Sequence, residues 1–124
     1  MTKYQAIYQF FSGFGLNAYP DVSVPTAGDG MPNFPYITYN APETSDMGIV
    51  QVTANLWYRG ESWVEINAKT DEIGKAIERA KIIECDDGGM IIRKGTPFAQ
   101  PLADDTDDMV KRKYLIFEVT YMTI

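Results

Sequence analysis

Residues 47–81 read MGIVQVTANLWYRGESWVEINAKTDEIGKAIERAK, and the apolar pattern changes period at Glu61. Before that point Val50, Val52, Ala54, Leu56 and Tyr58 alternate with Gln51, Thr53 and Asn55. Successive side chains of a strand point to opposite faces, so 47–60 is predicted to be a strand with one apolar side. After it, Trp63, Ile66, Ile73, Ile77 and Ala80 recur at near-helical spacing, which predicts a helix over 61–81. Ser62 and Glu65 match a capping box at its start, and Lys81 suits the negative pole at its end. Gly74 weakens it by about 1 kcal/mol relative to alanine.

Working outward, PYITYNAPE (35–43) alternates Tyr36, Thr38 and Asn40 with Ile37 and Tyr39. With Glu43-Thr44-Ser45-Asp46 as the turn, it forms an antiparallel hairpin with 47–60. On the other side, IIECDDGGMIIRKG (82–95) is two apolar pieces around an Asp-Asp-Gly-Gly turn, a second hairpin. TPFAQPLADDTDD (96–108) reads as an irregular loop, and KRKYLIFEVTYMTI (111–124) as a closing strand. Leu115, Phe117, Val119 and Tyr121 share one side of that strand; Tyr114, Ile116, Glu118, Thr120 and Met122 share the other.

At the start, Tyr4, Ile7, Tyr8 and Phe11 mark one face of a short helix. Thr2 and Gln5 make a capping box, and Gly13 and Gly15 stop it. Residues 17–35 hold four prolines and two glycines and read mostly as loop, with Val22 and Val24 as a short extended piece. The order is then α, β, β, α, β, β, β. Strands that come in hairpin pairs define an α+β class: one domain over 1–124, a mainly antiparallel sheet, and two helices packed on one face.

Composition removes several functions. Net charge is −6, whereas binding through nucleic-acid phosphates needs a Lys/Arg surplus. There is no histidine, the commonest general base and metal ligand. Cys85 is the single cysteine, so no internal disulfide forms, and neighbouring Glu84 and Asp86 disfavour its thiolate. No segment reaches the roughly 20 apolar residues of a membrane span, and no secretory pattern opens the chain; the expectation is a soluble protein of a reducing compartment. Gly28-Asp29-Gly30 lacks the lysine and helix start of a phosphate loop.

Asp104, Asp105, Asp107 and Asp108 form the densest charge cluster. An EF-hand loop needs glycine at position 6 and glutamate at 12; counted from Asp104 these are Met109 and Leu115, and from Asp105 they are Val110 and Ile116. Catalytic carboxylates need unlike environments, which adjacent aspartates in a polar loop do not offer. The cluster reads as a charged loop, with weak surface calcium binding as the alternative. Tyr4, Tyr8 and Phe11, with Tyr114 and Ile116 on the final strand, are either core or a subunit interface, where aromatics are enriched.

An aromatic N-terminal helix runs into FFSGFGLNAYPD; FPYITYNAPE, VTANLWYRGESWVEINAKTDEIGKAI and GGMIIRKGTPFAQPLADDTDDMVKRKYLIFEVTYMTI follow, an order that runs along nearly the whole chain. In order and texture they resemble the tail terminator (tail-completion, minor capsid) proteins of long-tailed bacteriophages and prophages. The resemblance implies a hexameric homo-oligomeric ring in the virion, at the head–tail junction. It would cap the tail tube protein, meet a head-side connector or stopper protein, and let DNA pass without specific binding. It carries over no catalytic residue, metal or cofactor, and implies no enzyme. On that reading the aspartate loop lies at the lumen or rim, and the loops 17–34 and 96–110 order against neighbours. The competing class is a small α+β ligand-binding or enzymatic domain with a site between subunits.

Overall fold

Thr2 opens the first helix, α1 (Lys3–Ser12), with both halves of the expected capping box in place. The Gln5 N–H donates to Thr2 Oγ1 at 3.2 Å, and the Thr2 N–H donates to Gln5 Oε1 at 2.9 Å. The structure is a computed structural model that describes residues 1–25, 32–42, 48–86, 88–104 and 106–123. Its further elements are β1 (Asn17–Pro20), a single 3-10 turn (Asp21–Ser23), β2 (Tyr36–Asn40), β3 (Gly48–Arg59), α2 (Val64–Ala76), β4 (Lys81–Cys85), β5 (Gly88–Ala103) and β6 (Val110–Thr123). The six strands form one sheet in the order β1-β2-β3-β6-β5-β4.

The class is α+β as expected, but the sheet is mixed. Pairing is antiparallel throughout except at one edge, where β1 runs parallel to β2 with Asn17 opposite Tyr36 and Pro20 opposite Tyr39. Residues 17–20 were expected to be loop. Gly15, at φ +82°, turns the chain out of α1, and Ala18 is buried, so tertiary packing makes a strand where local composition favours none. Val22 is 88% exposed in the 3-10 turn, not part of an extended piece.

A second difference lies at 96–103. These residues continue β5 beyond a register shift between Lys94 and Ala99, and Ala99–Ala103 pair with β6 from Leu115 to Lys111. Pro97 and Pro101 fall where β4 no longer flanks β5, since β4 pairs only with residues up to Ile92. Proline is tolerated at such an open edge because no partner there needs its missing N–H.

Helix α2 is shorter than 61–81. Trp63 occupies the N-cap position without a side-chain cap bond, and Ser62 Oγ instead accepts from the Val64 N–H at 3.1 Å. The Ser62–Glu65 capping box therefore does not form. Ile77 ends the helix and Ala80 takes φ +76°, a left-handed conformation that reverses the chain into β4. Lys81 thus begins a strand, and Lys75 holds the last helical turn.

Both helices cover one face of the sheet. Ile66, Ile73 and Ile77 of α2 and Ala6, Ile7, Phe10 and Phe11 of α1 join Val52, Leu56, Leu115, Phe117 and Val119 in one core. Helix α1 touches β1, β2 and β4, so the sheet curls around it from one edge to the other. Phe117 sits at the centre, edge-on to Phe10 (5.8 Å), Phe11 (5.4 Å) and Phe98 (5.6 Å). The buried stripe of α1 runs through Ala6 and Phe10 rather than Tyr4 and Tyr8, which stay exposed.

Candidate functional site

Among the described residues no helix packs on the opposite face of the sheet. Because Val52, Ala54, Leu56 and Tyr58 enter the core, their neighbours Thr53, Asn55, Trp57 and Arg59 point the other way. Register places Arg112 opposite Trp57, Tyr114 opposite Asn55 and Ile116 opposite Thr53. On the far side of Trp57 stands Tyr36, and beyond it Asn17, with Tyr19 one pleat further.

These side chains form a continuous ladder across four strands. Tyr19 is edge-on to Tyr36 at 6.2 Å, and Phe34 tilts against Tyr36 at 5.3 Å. Tyr36 stacks on Trp57 at 6.1 Å and 15°. The Arg112 guanidinium lies 5.1 Å from the Trp57 ring centroid, within cation–π range. Two polar contacts fix the ladder: Trp57 Nε1 donates to Thr38 Oγ1 at 2.9 Å, and Arg112 Nε donates to Asn55 Oδ1 at 2.7 Å. Burial, and then the nearby Tyr19, push the Tyr36 phenol above its ordinary pKa.

The sheet edges offer less. β1 has four residues and ends in proline, and the open part of β5 carries Pro97 and Pro101. β4 has five residues, and the chain beyond it is tied to the N-terminus: the Asp86 N–H donates to the Met1 carbonyl at 2.8 Å, and the Asp86 carboxylate pairs with the terminal ammonium. Short, proline-bearing or occupied edges resist added strands.

The aspartate loop is an organised turn beside this face. Asp104 Oδ1 accepts from the Thr106 N–H (2.8 Å), the Thr106 hydroxyl (2.8 Å) and the Asp107 N–H (3.1 Å). The Thr106 backbone bond, then its hydroxyl, then the Asp107 amide hold the Asp104 carboxyl below its usual range. Asp107 accepts from the Met109 N–H at 2.9 Å and pairs with Arg59 at 3.0 Å, and in that order these lower its pKa. The Lys111 ammonium donates to the Asp108 carbonyl. Asp105 lies outside the described residues. Among the described residues no group of three or more His, Cys, Asp or Glu could hold a metal ion.

Of the residues expected at a subunit interface, Tyr114 and Ile116 fall on the helix-free face, half-buried. Tyr4 (59% exposed) and Tyr8 (48%) lie on α1, on the other side of the sheet. Phe11 is corrected from interface to core: it is 1% exposed and stacked on Tyr39 at 4.8 Å. The five therefore do not form one surface. The residues that sequence reasoning missed are Tyr36, Trp57 and Arg112. The signal was Trp57 itself, a large aromatic on the side of its strand that carries Gln51, Thr53 and Asn55.

A concavity of about 260 Å³ opens between α1 and the ends of β1 and β2, with Lys3, Asp21, Tyr39, Asn40 and Tyr121 in its wall. The Lys3 ammonium lies 5.8 Å from the Tyr4 ring centroid and 5.6 Å from that of Tyr121. Burial raises the pKa of both Tyr39 and Tyr121.

Fold and face together define a small α+β domain that shields one side of its sheet with two helices and, among the described residues, leaves the other without one. Comparison with protein-family models, with curated proteins and with solved structures gave no match.

Proposed function

We propose that the chain is a structural assembly subunit of the phage tail-terminator kind. Copies of it close into a ring that caps a tail tube and joins it to a head-side connector. The observation that supports this most is the Tyr36–Trp57–Arg112 ladder on the uncovered sheet face. Aromatics and arginine are the residues enriched where proteins associate, and a contiguous apolar patch on a small domain marks such a site. The role is structural rather than catalytic, with no cofactor, and the resemblance in element order described above points the same way.

In such a ring the loop at 104–108 would stand at the lumen or rim. Asp104 and Asp107 spend their carboxylates on closing the turn but keep their negative charge, which repels DNA phosphates and lets DNA slide. The test is the solution mass of the purified protein together with electron microscopy. The expected result is a closed ring with an open centre. A protein that stays monomeric, alone and on isolated tail tubes, rejects the reading.

A ligand-binding domain is the second reading, supported by the groove that Lys3 and Tyr39 line. It expects a small molecule that raises the melting temperature and is displaced by filling the groove, with no ring.

A further inference from the structure

Resting on the ring reading, we propose that the helix-free face seats the outer surface of α2 from a second copy of this chain, with Arg112 gripping a carboxylate of that helix. Arg112 is half-buried, with its guanidinium 5.1 Å from the Trp57 ring centroid and its Nε bonded to Asn55. Its two terminal nitrogens have no hydrogen-bond or ion-pair partner among the described residues. A fixed guanidinium with its fork free is suited to bidentate capture of a carboxylate, and its planar geometry favours a defined docking angle.

The chain itself carries a surface of the complementary kind. Val64 is 72% exposed at the first turn of α2, and Ala68 is exposed one turn later. Residues four apart on a helix are neighbours, so these two make a low apolar ridge. Exposed Glu65 and Asp71 flank it, and neither is in an ion pair among the described residues. Small apolar groups rimmed by carboxylates match an aromatic platform that carries an arginine. The acidic loop matches less well, because the Asp107 carboxylate is already held by Arg59.

Geometry then sets the type of contact. Helix α2 packs on the core face of the sheet, so its outer surface and the helix-free face look in opposite directions. One copy's sheet face meets the next copy's helix, leaving a free surface of each kind at the two ends. Such a contact is heterologous: it closes into a ring when the rotation per step divides a full turn with no rise along the axis, and otherwise extends as a filament. Aromatics and arginine on a sheet can also stack nucleic-acid bases. The carboxylates of Asp104 and Asp107 beside the ladder, and the chain's net charge of −6, favour the protein partner.

The experiment uses two variants, Arg112→Ala on the sheet side and the double change Glu65→Lys with Asp71→Lys on the helix side. Melting curves and circular dichroism check that both fold; Leu102→Lys, on the same face as Arg112, is a second sheet-side variant. Sedimentation velocity then reads the assembly state. Each variant alone is expected to be monomeric, with association weakened about thirtyfold or more. Their equimolar mixture is expected to give dimers and nothing larger, because each copy keeps one intact surface. Rings that persist in both variants overturn this contact while leaving the ring reading standing. Loss on the sheet side alone, with no rescue on mixing, shows a self-paired face or another partner and overturns it as well. A single-stranded oligonucleotide retained by the wild type and released by Arg112→Ala assigns the face to nucleic acid. A wild-type chain that never assembles removes both the contact and the ring.

Discussion

Replacing Phe117 with alanine tests whether the two-helix face is organised around one ring. Phe117 is fully buried, between Val52 of β3 and Lys94 of β5 in the sheet register. Three aromatic edges converge on it, two from α1 and one from the Lys94–Ala99 irregularity in β5. Truncation of a buried phenylalanine typically costs about 3–5 kcal/mol, more where the surroundings cannot collapse. Collapse here would require α1 to shift, and that would break the stack of Phe11 on Tyr39. The upper half of the range is therefore expected, about 4 kcal/mol. For 124 residues the unfolding entropy is about 0.26 kcal/mol per kelvin, so the melting temperature should fall by about 15 °C. Urea unfolding and thermal melts followed by circular dichroism measure both numbers. Phe117→Leu, which refills most of the volume, should keep most of the stability. A loss below about 1 kcal/mol for the alanine variant would refute the reasoning, because it would mean that α1 does not pack on Phe117.

Other features give their own tests. A Cβ at Gly95 would lie 2.5 Å from Ile116 Cγ2 and 2.8 Å from the Ile116 carbonyl oxygen, so Gly95→Ala should cost about 1–3 kcal/mol in urea unfolding; an unchanged midpoint would mean that β5 stands away from β6. Asp104 has a folded pKa below its unfolded value, so its stabilising bonds are present above about pH 4 and are lost as pH falls through the folded pKa. Amide exchange at Thr106 and Asp107, corrected for the intrinsic pH dependence, should accelerate there, and an Asp104 carboxyl that titrates at or above the ordinary value in NMR rejects the cause. Calcium should leave the melting temperature unchanged, since the Asp104 and Asp107 carboxylates already serve backbone amides. Thr2→Ala removes the α1 capping box and should lower stability by about 1 kcal/mol, a value that an unaltered melting curve would contradict.

The fold was legible where a period ran long enough to fix a face. The alternation from Val50 to Tyr58 and from Leu115 to Tyr121 places buried residues correctly, with Val50 half-buried at the end. It was less legible where a neighbour decides. Residues 99–103 become strand because β6 offers Lys111 to Leu115 as partners, against the local signal of Pro101 and of Pro97 just before them. Helix α1 is amphipathic on either of two overlapping stripes, and the pair Phe10 and Phe11 outweighs Tyr4 and Tyr8 because a phenol pays a desolvation cost that a phenyl ring does not. The ladder was hidden for a similar reason. Tyr19, Tyr36, Trp57 and Arg112 come from four strands, and their adjacency depends on register, which a single strand's pattern does not contain.

The position of the aspartate loop relative to the ladder alters what its charge can do. An antiparallel sheet with one face in water usually alternates apolar with polar residues, and the helix-free face follows that rule only in part. Towards Ile91 and Glu118 it is mixed, with Gln51, Arg93 and Glu118 exposed beside the exposed Ile49 and Ile82. Towards the loop it is aromatic, with Tyr36, Trp57 and Tyr114 half-buried. Arg59 lies two residues beyond Trp57 and pairs with Asp107, so the loop borders the aromatic end directly. On the proposed contact, the loop of one copy therefore stands beside the joint with the next rather than at a free tip. Its carboxylates would then act on two things at once, repelling phosphate in any channel and excluding acidic surfaces from the joint in the wrong register. The two effects separate by residue: Asp107→Asn weakens the Arg59 pair and should disturb assembly, whereas Asp108→Asn, whose backbone carbonyl rather than carboxylate holds Lys111, should leave assembly intact and change only the charge. Equal loss of assembly in both variants would show that net charge, and not the position of the loop, sets the association.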